Sequence, residues 1–269
     1  KARMALMWTL QSIIDIKLKL NVPRIDLVVI HGKVAHSLSK GELQAFDKAY
    51  LCFSRLTGSI LYLEEDTGQN FLEEHSFTSH HVETIKLTSK QFVIPGFIDT
   101  HFHAPQYTFM GNGGDMKLLD WLKEYTFPVE AKFNDIEFAR KVYPKVVQRQ
   151  LQHGTTYCSY FATIHTEATK LLADECIKQG QRALVGKVNM DMNAPEYYIE
   201  KTKESITATE HVIQYIQEKM KEPGTNKRNL LVRPVITPRF AVSCTMELMK
   251  GLAQLAQKYN IPFQTHLSE

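Results

Sequence analysis

The sequence predicts an α/β architecture, a parallel sheet built from βαβ units and preceded by a β-rich segment. Two observations carry this expectation. Beyond Val93, short apolar runs bounded by turn residues alternate with stretches of helical period, and strands alternating with helices imply parallel βαβ units. Before Val93, short runs of strand character follow one another with no long amphipathic helix between them. At 269 residues the chain has room for one large domain or two smaller ones. The change of pattern places a β-rich domain at 1–91 and the βα region at 92–269.

The elements follow in chain order. Ile14–Leu20 alternates apolar and polar residues with period two, the mark of a half-exposed strand. Asn21–Arg24 reads as a turn, and Ile25–Ile30 as a second strand ending at His31-Gly32-Lys33. Ser59–Glu64 is a third short strand and Glu83–Leu87 a fourth. The polar stretch Gly68–His81 is an exposed connection. Its adjacent His80 and His81 would face opposite ways on a strand, which argues against a shared metal. Glu137–Gln152 has helical period and closes at Gly154 as a left-handed cap. Thr155–Ile164 is a strand, β-branched and aromatic. Thr166 is expected to cap a helix that runs to Gln179 and stops at Gly180. A strand at Arg182–Asp191, a helix from Ser205 to Lys221 and a polar loop at Glu222–Asn229 follow. Leu230–Ile236 is the fourth strand of this region, Thr245–Tyr259 a helix, and Pro262–His266 the fifth strand.

Composition is that of an ordinary globular protein, 43% hydrophobic and 23% charged. A net charge of +3 is near balance for this length and points to neither a nucleic-acid polymer nor an anionic membrane. No stretch approaches the roughly 20 apolar residues of a membrane span. Met4–Leu10 follows basic residues but is short and lacks a cleavage site, so a cytoplasmic protein is expected. The four cysteines, Cys52, Cys158, Cys176 and Cys244, show no Cys-x-x-Cys spacing and read as buried free thiols of a reducing compartment. The chain begins with Lys1, so a longer parent polypeptide is expected.

The chemistry concentrates in Val93–Gln106. An apolar run broken by Pro95-Gly96 resumes at Phe97-Ile98 and reaches Asp99-Thr100-His101-Phe102-His103. On a strand His101 and His103 share a face, and paired imidazoles at a strand end suit a divalent metal such as zinc. A bare His-x-His is more often a polar patch; the buried strand and the Pro-Gly turn before it favour the metal. The fifth strand ends at His266, a third-ligand candidate. Arg239, in Thr-Pro-Arg-Phe, offers a planar donor fork that suits the acceptor edge of a flat heterocycle, or an ordinary ion pair. Phe240 could stack on such a base or fill core, and Gln106 can both donate and accept. His165 ranks as a pocket-wall residue; Leu118, Trp121 and Leu122 read as helix packing.

Pro95-Gly96-Phe97-Ile98-Asp99-Thr100-His101-Phe102-His103 resembles the signature of the amidohydrolase superfamily, metal-dependent hydrolases and deaminases on a (β/α)8 barrel. Gln106-Tyr107, Leu118–Leu122, Tyr125–Pro128, Tyr160–Thr166, Thr237–Phe240 and Thr265–Glu269 are similar to its guanine deaminase branch. The resemblance implies zinc, one ion per subunit, held by His101, His103 and His266, with Glu269 as the proton shuttle. It further implies guanine contacts from His103, Ala104, Pro105, Gln106, Arg239, Phe240, His266 and Glu269, in a cytoplasmic homodimer of purine catabolism. A complete barrel takes eight strands and about 250 residues, whereas the region from Val93 offers five. The fifth strand is therefore expected to leave an open edge, and the fourth histidine and the metal-binding aspartate of the family fall beyond Glu269. The chain by itself is expected to bind zinc weakly or not at all and not to turn over guanine. Two alternatives differ in class: another heterocycle deaminase or hydrolase, and a non-catalytic barrel acting as a binding partner. Gln106 with Arg239-Phe240 argues against the first, and the retained histidines against the second.

Overall fold

The computed structural model describes residues 26–77, 81–221 and 231–267. The expected strand Ile14–Leu20, His80, the loop Glu222–Asn229 and Glu269 lie outside them. The chain divides into two compact units between Pro95 and Gly96.

In the first unit β1 (Leu27–Ser39) and β2 (Glu42–Ser54) form a long antiparallel hairpin. Its two-residue turn, Lys40-Gly41, needs positive φ, and Gly41 supplies +83°. β3 (Ile60–Glu65) pairs with β2, a short helix α1 spans Phe71–Glu74, and β4 (Val82–Lys86) and β5 (Phe92–Val93) both lie parallel to β1. Val29, Cys52 and Phe71 form one apolar cluster and Val34, Ala49 and Leu51 another. The sequence reading ended the first of these strands at Ile30 and missed β2 altogether. The distal arm of the hairpin buries little, with Leu43 74% exposed, so no half-buried alternation marks it. Backbone pairing, rather than burial, extends these strands.

The second unit is built on a parallel sheet. β6 (Phe97–His103) is followed by a helical stretch in four short pieces: α2 (Leu118–Trp121), a π turn (Leu122–Thr126), α3 (Phe127–Ala131) and a 3-10 turn (Lys132–Asn134). Next come α4 (Ile136–Gln152), β7 (Thr155–Phe161), α5 (Thr166–Gln179), β8 (Arg182–Gly186), β9 (Val188–Asn189) and α6 (Thr202–Lys219). β10 (Val232–Pro234), β11 (Thr237–Pro238) and α7 (Met246–Tyr259) complete it. The main sheet has the order β10-β8-β7-β6, all parallel, and β9 and β11 form a second parallel pair. Consecutive parallel strands joined by helices are the βαβ pattern of a partial barrel. Val146, Val147, Tyr160, Leu172, Val185 and Ile216 fill the layer between sheet and helices.

Helix ends follow local chemistry. The Asp135 side chain accepts from the Glu137 N–H at the start of α4, and Gly154 (φ +87°) follows its end. Thr245 caps α7 by accepting from the Leu248 N–H, and Gly180 closes α5 in the left-handed region. Thr166, expected as a cap, is already helical; His165 occupies the cap position and makes no side-chain bond there.

Three strands are shorter than their apolar runs. Arg182–Asp191 breaks at Lys187, whose ammonium is buried and held by Glu200 at 2.5 Å and the Val188 carbonyl at 3.1 Å. Within the described part of Leu230–Ile236, residues 231–236, the strand is only Val232–Pro234, where the last residue has no N–H to donate. Pro262–His266 is not a regular strand among the described residues: it touches the sheet through the single bridges Ile236–Phe263 and Phe240–His266.

At Gly186 the sheet turns so tightly that a Cβ would sit 1.8 Å from Thr237 Oγ1 and 2.8 Å from the Val235 carbonyl. Because a backbone atom blocks that space, Gly186→Ala is expected to cost about 1–3 kcal/mol of stability. A urea midpoint unchanged from the parent would contradict this packing.

Candidate active site

The parallel sheet dictates where the chemistry gathers. β6 ends in His101-Phe102-His103, with His103 in register with Phe161 at the end of β7. His266 reaches the same place from the other side by bridging Phe240, just beyond β11. Phe161 is the floor of the cluster. Its ring centroid lies 4.8 Å from that of His101, 4.5 Å from His103 and 4.8 Å from His266.

The three imidazoles point their Nε2 atoms at one another. His103 Nε2 is 3.0 Å and His101 Nε2 3.2 Å from His266 Nε2. The tautomer of His266 is fixed by its other nitrogen. Nδ1 lies 2.6 Å from the Arg239 carbonyl, which can only accept, so Nδ1 carries the proton and Nε2 a bare lone pair. A shared proton would satisfy one of the two contacts at that lone pair; a cation satisfies both. Zinc–nitrogen bonds of about 2.0–2.1 Å at tetrahedral angles place ligand nitrogens about 3.3 Å apart, close to the spacing here. The donor set therefore fits a divalent metal. A second group with ligand atoms close together, Glu64, Glu74 and His75 in the first unit, is centred on an ordinary His75–Glu64 ion pair of 2.7 Å.

Behind the histidines lies a buried charge pair. Glu130, on α3, is fully buried and accepts from Arg239 Nη1 at 2.7 Å, Arg239 Nη2 at 3.4 Å and the Tyr198 hydroxyl at 2.7 Å. The Arg239 guanidinium also stands 5.3 Å from the Phe127 ring centroid. Local sequence explains how a carboxylate reaches this position. Pro128 cannot donate an N–H, and the turn before it widens to a π turn in which the Phe127 N–H bonds the Leu122 carbonyl. Leu122, Thr126, Phe127 and Glu130 all become buried. His103 Nδ1, buried and without a hydrogen-bond partner, is 4.0 Å from Glu130 Oε1. Burial, and next the positive charge of Arg239, push the His103 imidazole well below its usual range.

The structure thus brings together His101, His103, His266 and Arg239. Gln106 lies half-buried in the 3-10 turn Ala104–Phe109 directly after the pair. Ala104 is packed in the core, and Pro105 is buried. Phe240 sits in an apolar cluster with Phe127, Phe161 and Tyr198. His165 lies beside Tyr198, 5.8 Å between ring centroids, and Leu122 and Trp121 pack into the same cluster as Phe240. Leu118 is exposed, so it makes little of the packing contact expected of it. Sequence reasoning missed Phe161, Tyr198 and Glu130. Phe161 belongs to the quoted Tyr160–Thr166 block and could have been singled out there; Glu130 follows Tyr125–Pro128 by two residues and resembles any surface glutamate.

Comparison with known proteins decides the family. Residues 92–269 match the amidohydrolase family model. The chain belongs to the amidohydrolase family. It is 47% identical over 246 residues to a probable guanine deaminase of Schizosaccharomyces pombe, covering 90% of this chain and 45% of the relative. To the guanine deaminase of Homo sapiens it is 45% identical over 216 residues, covering 79% of this chain and 45% of that one. Among solved amidohydrolases, the guanine deaminase of C. acetobutylicum with bound guanine superposes with a TM-score of 0.80 at 35% identity. That match covers 91% of this chain and 54% of the other. The chain spans about half the length of the relatives it matches.

His165 supplies a pH test of this amidohydrolase site. Burial, and next the charge of Lys187, hold its pKa down at about 4, against an ordinary 6.5. The folded state therefore keeps His165 neutral. The stability this contributes is complete above pH 6.5 and drains away as pH falls toward 4. His165→Asn, which cannot take up the proton, is expected to flatten the fall in urea midpoint over that window; an equal slope in both proteins would contradict the assignment.

Proposed function

We propose that this chain is part of a zinc-dependent guanine deaminase, which converts guanine and water to xanthine and ammonia in purine catabolism. The observation that carries the reading is the convergence of three imidazole nitrogens beside a buried arginine fork. Sequence identity of 45% and 47% to proteins named as guanine deaminases supports it. Four buried free thiols are in keeping with a reducing, cytoplasmic setting.

In this reading His101, His103 and His266 hold the metal, which supplies Lewis acidity and lowers the pKa of a water from about 15.7 to near 7. Phe161 fixes the imidazole planes from beneath, and the Arg239 carbonyl fixes the tautomer of His266. Arg239 and Gln106 orient the base, the arginine toward its acceptor edge and the glutamine through paired donor and acceptor. Glu269 would move the protons: one from the attacking water goes to a ring nitrogen, and the second passes from the newly added hydroxyl to the amino group, which leaves as ammonia as the carbonyl forms. Ala104, Pro105 and Phe240 back the pocket wall.

The test is made on the whole protein. Guanine should be consumed with equal release of xanthine and ammonia, and a chelator should abolish turnover until zinc is restored. Arg239→Ala should lower kcat/KM about 10- to 100-fold, the worth of a hydrogen bond from a charged donor. Full activity after rigorous metal removal, or no turnover of guanine by the zinc-loaded protein, would contradict the proposal.

A further inference from the structure

Glu130 is a buried charge to which neither metal binding nor base recognition assigns a role. Taking a carboxylate out of water is expensive unless its oxygens are well partnered, and the two oxygens here are partnered unequally. Oε2 receives both short bonds, from Arg239 Nη1 and the Tyr198 hydroxyl, each at 2.7 Å. Oε1 receives a single long bond of 3.4 Å from Arg239 Nη2. The less satisfied oxygen is the one that faces His103 Nδ1 at 4.0 Å, a nitrogen that is itself buried and unpartnered. When an imidazole gives its Nε2 lone pair to a cation, Nδ1 must carry the proton, and a buried N–H without an acceptor is costly. Both deficits lie opposite each other.

We propose that Glu130 is a positioning residue that sets Arg239 for base recognition with one oxygen and orients His103 for metal binding with the other. The inference rests on the deaminase reading and adds a link to it: the two halves of the site share one carboxylate. The link runs through four separate segments, α3, the 3-10 turn Glu196–Tyr198, the end of β6 and the residue after β11. Burial of all its members except the half-buried His103 leaves little water to substitute for a missing partner.

The experiment compares Glu130→Gln and Glu130→Asp with the parent in the whole protein. Zinc affinity is read by competition with a chromophoric chelator, and KM and kcat for guanine at saturating zinc. Glu130→Gln keeps the shape and loses the charge. It is expected to weaken zinc binding about 10- to 100-fold, the usual effect of removing a ligand's hydrogen-bonding partner, and to raise KM for guanine at least tenfold while kcat falls less. Glu130→Asp keeps the charge, so part of both losses should be recovered. A Glu130→Gln protein that melts at a lower temperature yet holds zinc affinity and KM within twofold of the parent would overturn the proposal by reducing Glu130 to a structural role. Should Glu130→Gln fail to fold, Glu130→Asp alone decides: zinc affinity and KM both worsened support the link, and either one unchanged refutes it. If the parent protein does not deaminate guanine, the function fails separately, and the zinc competition still judges the contact between Glu130 and His103.

Discussion

A single carbonyl oxygen holds the site in register. The Arg239 carbonyl accepts both the backbone N–H of His266, at 3.0 Å, and its ring Nδ1, at 2.6 Å. The first bond brings the segment around His266 to the sheet where no regular strand forms, and the second fixes which nitrogen of His266 faces His101 and His103. Without that carbonyl the imidazole could turn or change tautomer, and the convergent lone pairs would be lost. The same residue sends its side chain the other way, into Glu130. Backbone and side chain of Arg239 thus serve two adjoining parts of one site.

The surrounding fold is arranged to tolerate buried charge. Glu130 and Arg239 are each almost wholly removed from water, as is Lys187, which is held by Glu200. Such pairs seldom add net stability, because desolvation offsets their attraction. Breaking one leaves an uncompensated charge and is costly, so pairs of this kind fix geometry more than they strengthen the fold. Apolar packing supplies the stability instead. One layer joins sheet and helices through Val146, Leu172 and Val185, and a second cluster under the site contains Phe127, Phe161 and Tyr198.

Much of this was legible in the sequence, and the limits have physical causes. The βαβ alternation announced the parallel sheet because helices and strands bury apolar residues at different periods. His101 and His103 announced themselves by alternation on a strand, and His266 by its place at the end of an apolar run. The hairpin arm at 42–54 was invisible because its first half buries almost nothing and its buried residues, Ala49, Leu51 and Cys52, do not alternate regularly. The shortened segment Pro262–His266 was overcalled because an apolar run shows that residues can be buried, not that the backbone makes a ladder. Glu130 was illegible for a different reason: a carboxylate gains meaning only from partners distant in the chain, and Arg239 is 109 residues away. Phe161 lay in a block already singled out, but its part beneath the histidines depends on strand register, which periodicity does not give.

The most direct test of the proposed metal centre is X-ray absorption at the zinc edge on the zinc-loaded whole protein and on its His266→Ala variant. The account predicts a shell of nitrogen or oxygen scatterers at about 2.0–2.1 Å with imidazole outer-shell features, diminished when His266 is removed. A sulfur shell near 2.3 Å, the signature of cysteine ligation, or a spectrum indifferent to His266, would contradict it.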